Sequence, residues 1–189
     1  MKKIVALILL LPTLTACLGS TPNSRFYMLE NAKNPAVVSD KKINIAVQDV
    51  NFPQYLDRPQ IVLQQPDNPE IKIAEFDRWA ADFGTMLQNR LIDNLQSALP
   101  NADIKPLAFG NKPKFIVKLT IEKFGGWLNE NAYLQGNWQI VNTRGKLLTE
   151  QNFNLSDKVG NNYGSYVQAQ SRLLAQVADD IAKRIGKLH

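Results

Sequence analysis

A chain with one cysteine and one histidine has few ways to do chemistry, and here they stand at positions 17 and 189. A thiol is the most nucleophilic of the common side chains at neutral pH, so what precedes Cys17 decides what it can accept. Leu14, Thr15 and Ala16 come directly before it, and before them Pro12, an unbroken apolar run from Ile4 to Leu11, and the cations Lys2 and Lys3. That is a secretory leader with a cysteine placed straight after the small residue where cleavage falls, the pattern of a bacterial lipobox. The expected chemistry is transfer of a diacylglycerol to the Cys17 sulfur, removal of residues 1–16, and acylation of the new amino group. The alternative role for a lone cysteine is a small buried apolar residue, which would not explain the coincidence of leader, small residue and cysteine. The apolar run is shorter than the ~20 residues a membrane span needs. Acyl chains contribute about 0.8 kcal/mol per buried CH₂, so two or more hold a protein stably. Leu18 stands where an aspartate would favour retention in the inner membrane, so the anchor is expected in the outer membrane, on its periplasmic face.

Once Cys17 is acylated the chain has no thiol, which excludes disulfides, zinc thiolates and thiol catalysis. His189, at the last position, reads as a frayed end rather than a base held in a site. There is no G-x-S-x-G, no glycine-rich phosphate cradle and no His/carboxylate cluster with ligand spacing. Asp77, Asp82, Glu122 and Glu130 read as surface or capping groups. No catalytic residue, no metal and no cofactor beyond the covalent lipid is expected. The net charge of +5 includes Lys2 and Lys3, and the remaining bases are scattered among acids rather than gathered in a stripe, so nucleic acid is not an expected partner.

The elements behind the anchor follow from hydrophobic period. Residues 17–25 are the lipidated cysteine and a polar tether; eight residues reach at most about 28 Å, which keeps the domain close to its membrane. Residues 26–189 are expected to form one domain. Phe26–Leu29, Ile43–Val50, Ile61–Leu63 and Ile71–Ala74 read as short strands, with a hairpin turn over 64–69. A helix is expected from Ala80 to Leu99 on the repeat of Phe83, Leu87, Leu91 and Leu95, ended by Pro100. The stretch 101–113 reads as a loop. The period then drops to two through Phe115, Val117, Leu119 and Ile121, through Leu134, Trp138 and Ile140, and through Phe153 and Leu155, which predicts an antiparallel meander. A second helix follows over Tyr163–Ile185, opened by a capping box of Ser165 and Gln168. Together these give an α+β two-layer sandwich, an antiparallel sheet with two long amphipathic helices on one face. Gly125–Leu128 reads as a hairpin or bulge, with Trp127 a candidate for the membrane surface, and 160–164 as a helix entry.

Two stretches stand out in composition: Tyr55, Leu56, Asp57, Arg58, Pro59, Gln60, Ile61, Val62, and Glu75, Phe76, Asp77, Arg78, Trp79, Ala80. In order after a lipobox, they resemble the PqiC-like (YmbA-like) lipoproteins, and the similarity runs over essentially the whole mature chain. Leu63 and Gln64 depart from a basic residue frequent there, and Ala81, Asp82, Phe83 from Glu-Pro-Leu. The resemblance implies a noncatalytic auxiliary lipoprotein of an MCE-domain lipid transport system. It would sit on the outer membrane, dock the periplasm-spanning MCE subunit, form a ring of copies, and support envelope integrity. Tyr55, Asp57, Arg58, Pro59, Gln60, Arg78 and Trp79 are the candidate partner-binding residues, because Tyr, Trp and Arg dominate interface hot spots. The same residues could instead hold the domain together, Tyr55 and Trp79 capping the core and Arg58 pairing with Asp57, Glu75 or Asp77. A rival function is a lipid- or lipopolysaccharide-binding module, which would hold an acyl chain between sheet and helices.

Overall fold

The computed structural model describes residues 22–31, 42–65, 67–110 and 112–188; Cys17, the leader and His189 lie outside them. In chain order the elements are β1 (Arg25–Tyr27), β2 (Asn44–Val47), a 3₁₀ turn (Gln54–Leu56), β3 (Gln60–Gln64), β4 (Ile71–Trp79), α1 (Phe83–Ala98), β5 (Asp103–Pro106), β6 (Phe115–Gly126), β7 (Asn131–Val141), β8 (Leu147–Lys158) and α2 (Tyr163–Lys187).

The two-residue period places β6, β7 and β8 as expected, paired antiparallel in sequence order. Their inward faces carry Val117, Leu119, Ile121, Leu134, Trp138 and Ile140, all buried. Both helices lie against this face: Leu87, Leu91 and Leu95 of α1 and Leu173, Leu174, Ala178 and Ile181 of α2 are fully buried in the same core. Each such leucine contributes about 1.5 to 3 kcal/mol relative to exposure. This is the expected α+β sandwich.

The sheet has eight strands among the described residues and is mixed. The expectation of an antiparallel sheet holds for the meander and for the β3–β4 hairpin. β1 runs parallel to β4, and β2 runs parallel to both β5 and β6. Alternation fixes which face a side chain takes but not the direction of the neighbouring strand. β5 falls in the stretch read as a loop: it offers one buried apolar residue, Ile104, and ends in a proline, so it carries no period to detect. One edge of β6 pairs with β7 along its length, while the other takes β2 near its start and β3 at its end.

The register of β6 shifts between Ile121 and Lys123. This bulge moves the buried positions from odd to even, so Phe124 returns to the core face after Ile121, as an extra residue must make it do. Gly136 sits opposite Ile121 at the bulge, and a Cβ there would overlap the Thr120 carbonyl oxygen.

Helix starts are set by side-chain caps. Asp82 accepts from the Thr85 N–H at 2.8 Å at the start of α1. At α2 the cap is Asn162, accepting from the Ser165 N–H at 2.9 Å, and not the expected Ser165 box; asparagine is as good a cap as serine and lies at the true boundary. Glu75–Trp79, which lies between the strand expected over Ile71–Ala74 and the helix expected from Ala80, is the second half of β4, because pairing with β1 and β3 takes up its backbone.

Candidate functional site

The β3–β4 hairpin brings the two distinctive stretches together. Gln60 stands opposite Arg78 in the ladder, and the Trp79 N–H donates to the Pro59 carbonyl at 2.7 Å. The approach to β3 is a tight coil. After Pro53 the Leu56 N–H donates to the Pro53 carbonyl at 3.0 Å, the Asp57 N–H to Gln54 at 3.0 Å and the Arg58 N–H to Leu56 at 2.8 Å. Pro59, which fixes its own φ and extends the residue before it, ends the coil and starts the strand. The Tyr55 phenol donates to Gln64 Oε1 at 3.2 Å, locking the turn onto the far end of β3.

A cleft of about 270 Å³ opens where these stretches meet, with Asp57, Arg58 and Pro59 on one wall and Trp79 to Phe83 on the other. Its lining residues differ in what they can offer. Arg58 is half-buried, and its Nε is shielded from solvent with no hydrogen-bond partner. The ion pair with Asp57, Glu75 or Asp77 that would have held Arg58 in place does not form among the described residues. Asp77 is instead claimed by Arg25 and Tyr27: Arg25 donates to both carboxylate oxygens at 2.8 Å and the Tyr27 phenol donates at 2.7 Å. Asp82 is committed to its helix cap, and the Thr85 backbone N–H holds its carboxyl below the usual range. Arg78 is half-buried and its Nε also lacks a partner. Asp57 and Pro59 are exposed and Gln60 is half-buried at the strand start.

Trp79 and Tyr55 belong to the inner side. Trp79 is 5 % exposed, with its ring 5.4 Å from that of Phe83 and 6.3 Å from that of Phe124. Phe83 in turn meets Phe52 and Phe124 edge to face, an arrangement worth about 0.5 to 1.5 kcal/mol per pair beyond burial. Tyr55 is half-buried, and burial raises its phenol above the ordinary tyrosine value. Trp127, the other candidate for contact outside the domain, is half-buried beneath the Lys72 ammonium, 5.6 Å from its ring centroid.

The cleft sets the Arg58 guanidinium, which forms no ion pair among the described residues, beside the rings of Trp79 and Phe83; a guanidinium is a donor suited to a carboxylate or a carbonyl oxygen. Among the described residues no group of three or more His, Cys, Asp or Glu could hold a metal. The interior between sheet and helices, where a lipid-binding module would keep an acyl chain, is occupied by Leu87, Leu91, Leu119, Ile121 and Trp138, each under 2 % exposed. Sequence reasoning missed the Arg25–Tyr27–Asp77 cluster, which depends on parallel β1–β4 pairing. The Asp82 cap was legible, since an Asp three residues before Thr85 opens an apolar helical repeat.

Comparison with known proteins agrees with this geometry. A crystal structure of an uncharacterized protein superposes with a TM-score of 0.73 at 24 % identity, covering 87 % of this chain and 99 % of that one. Protein XCC0632 from Xanthomonas campestris, of the DUF330 family, superposes with a TM-score of 0.68 at 12 % identity, covering 84 % and 93 %. Both share the fold. Among curated proteins none matches the chain significantly. A family model described as an ABC-type transport auxiliary lipoprotein component matches residues 27–182, which span every strand and both helices save two residues of β1 and the last five of α2. The chain therefore belongs to this PqiC/YmbA-like family of transport auxiliary lipoproteins, which are membrane-anchored in the periplasm.

Proposed function

We propose that this protein is the outer-membrane-anchored auxiliary subunit of an MCE-type lipid transport system. It is held by lipid on Cys17, arranged as a ring of copies, and docks the periplasm-spanning MCE subunit without catalysing a reaction. The family supplies the transport context. The observation that carries the docking role is the convergence of Asp57–Pro59 and Trp79–Phe83 around one open cleft, with Arg58 Nε left without a partner. An unpaired, partly desolvated guanidinium costs the isolated domain stability and gains it back when a partner supplies an acceptor. Arg58 is the residue that makes the contact, with Asp57 and Pro59 on the same wall and Gln60 and Arg78, opposite each other in the β3–β4 ladder, behind it; Trp79 and Tyr55 hold the wall in place.

A photocrosslinking amino acid placed at Asp57 in intact cells, with mass spectrometry of the adduct, tests this. Capture of an MCE-domain subunit, lost with Arg58→Glu, is the expected result. Crosslinks at Asp57 that never include a transporter subunit, while the protein is folded and anchored, would overturn the docking reading.

A further inference from the structure

The first strand after the tether and the residue that follows it carry an apolar face that nothing among the described residues covers. Phe26 is 64 % exposed and Met28 52 % exposed, while Leu29 is 1 % exposed and Tyr27 turns inward to Asp77. Side chains alternate along an extended segment, so Phe26 and Met28 point the same way, outward. They line an open depression of about 620 Å³ together with Leu29, Val167 and Arg90. β1 is also the terminal strand of the sheet path. Elsewhere an exposed phenylalanine next to an exposed methionine on an edge strand would be an aggregation liability.

What stands next to this face is fixed by chain length. Phe26 lies nine residues after Cys17, and nine residues span at most about 32 Å even when fully extended. As a flexible coil they average about 15 to 18 Å. The bilayer that receives the lipid on Cys17 is therefore within reach of Phe26 at all times. A cation suited to phosphate headgroups flanks the apolar pair: Arg25, whose side chain is 65 % exposed even while bound to Asp77; Arg90, also lining the depression, is 16 % exposed and paired with Asp93. Aromatic and apolar side chains bordered by arginine are the composition that settles at a membrane interface. Trp127 sits beneath Lys72, six residues before the β4 partner of Phe26 and thus about 20 Å away along the strand. Phe109, fully exposed, lies in the connection after β5, at the opposite end of the sheet path from β1.

We infer that Phe26 and Met28 insert into the interfacial region of the anchoring leaflet, so that the β1 side of the domain lies on the membrane and its orientation is fixed rather than free on the tether. The inference rests on lipidation at Cys17 and is independent of which transporter the cleft engages.

Acylation of Cys17 leaves no other thiol, so a single new cysteine can be spin-labelled cleanly in the full, lipidated protein. Labels at Met28→Cys, Phe109→Cys and Leu147→Cys are compared in vesicles of phosphatidylethanolamine and phosphatidylglycerol, with collision rates measured against oxygen and a water-soluble nickel chelate. The mass of the mature chain reports the lipid separately. The expected result is an oxygen-to-nickel accessibility ratio several-fold higher at position 28 than at 109 or 147, falling toward theirs when Phe26→Asp is added. A lipidated, folded protein whose position 28 is as accessible to nickel as position 147, or whose position 109 inserts instead, overturns the inference. So does a mature chain without lipid.

Discussion

The Asp77 carboxylate, 4 % exposed, lies within 2.8 Å of Arg25 through both its oxygens, and this pair fastens the first strand of the domain to the fourth. The third partner, Tyr27, donates to Asp77 Oδ1 at 2.7 Å, and its neighbour Ala80 donates its N–H to the Tyr27 carbonyl at 2.8 Å. The strand that emerges from the tether is thus locked at the point where a pull from the anchor would be felt.

Tyr27→Phe removes one hydrogen bond to a buried carboxylate and is expected to cost about 1 to 2 kcal/mol, at the lower end because the phenol is partly exposed. Amide exchange in β1 should quicken more than in β6 or β7. Denaturant midpoints with exchange mass spectrometry check both.

Trp79→Ala and Arg58→Ala should separate the two roles that sequence could not divide. Trp79 is packed against Phe83 and Phe124, so its truncation is expected to cost about 3 to 5 kcal/mol. Arg58→Ala should leave thermal stability unchanged or raise it by up to about 1 kcal/mol, since it removes a shielded donor without an acceptor, while weakening capture of the proposed transporter partner. A large loss of stability with Arg58→Ala would return that residue to a structural role.

Two glycines should behave in opposite ways. Gly136→Ala places a methyl on the Thr120 carbonyl across the β6 bulge and is expected to cost about 3 kcal/mol or more, since main chain on both sides must move. Gly145, at φ +77° with open space around it, should lose only about 1 to 2 kcal/mol as alanine, the backbone penalty alone. Paired melting curves decide.

Stability should fall on the alkaline side. Burial raises the phenols of Tyr55, Tyr133, Tyr163 and Tyr166, most strongly Tyr133 and Tyr166, and burial followed by the bond to Asp77 raises Tyr27. A raised folded-state value means that the contribution is complete below the unfolded value near 10 and is lost as pH rises through the folded ones. Asp82 acts in the other direction: its lowered carboxyl stabilises above the unfolded value near 4 and the benefit disappears as pH falls through the folded one. Melting temperature followed by circular dichroism should hold through neutrality, drop above about pH 10, and lose part of the alkaline drop in Tyr166→Phe.

Cys17→Ser should leave the leader attached and the chain unlipidated. Mass spectrometry and detergent partitioning check this; a mature-sized variant that still partitions into detergent contradicts the lipobox assignment.

Much of the fold could be read directly because its signals are local. Phe115 to Ile121 and Leu134 to Ile140 alternate without interruption, and Leu87, Leu91 and Leu95 repeat at helical spacing, so each element announces its own buried face. What was hidden depends on contacts between distant segments. β5 has only Ile104 to show, and it exists because β2 and α1 lie beside it. The parallel pairing of Arg25 with Asp77 joins residues 52 positions apart, and no alternation encodes it. The bulge after Ile121 is invisible until Phe124 is found facing inward. At the candidate site the composition of the two stretches was legible. Their meeting was not, since it follows from Gln60 falling opposite Arg78, and neither was the division of labour between a packed Trp79 and an unpartnered Arg58.

β6 borders β7 on one side and, in succession, β2 and β3 on the other. Among the described residues, a single strand that borders both halves leaves no seam between them. A load entering at β1 would pass through β4 and β3 into β6 and be shared with the meander instead of being absorbed by a hinge.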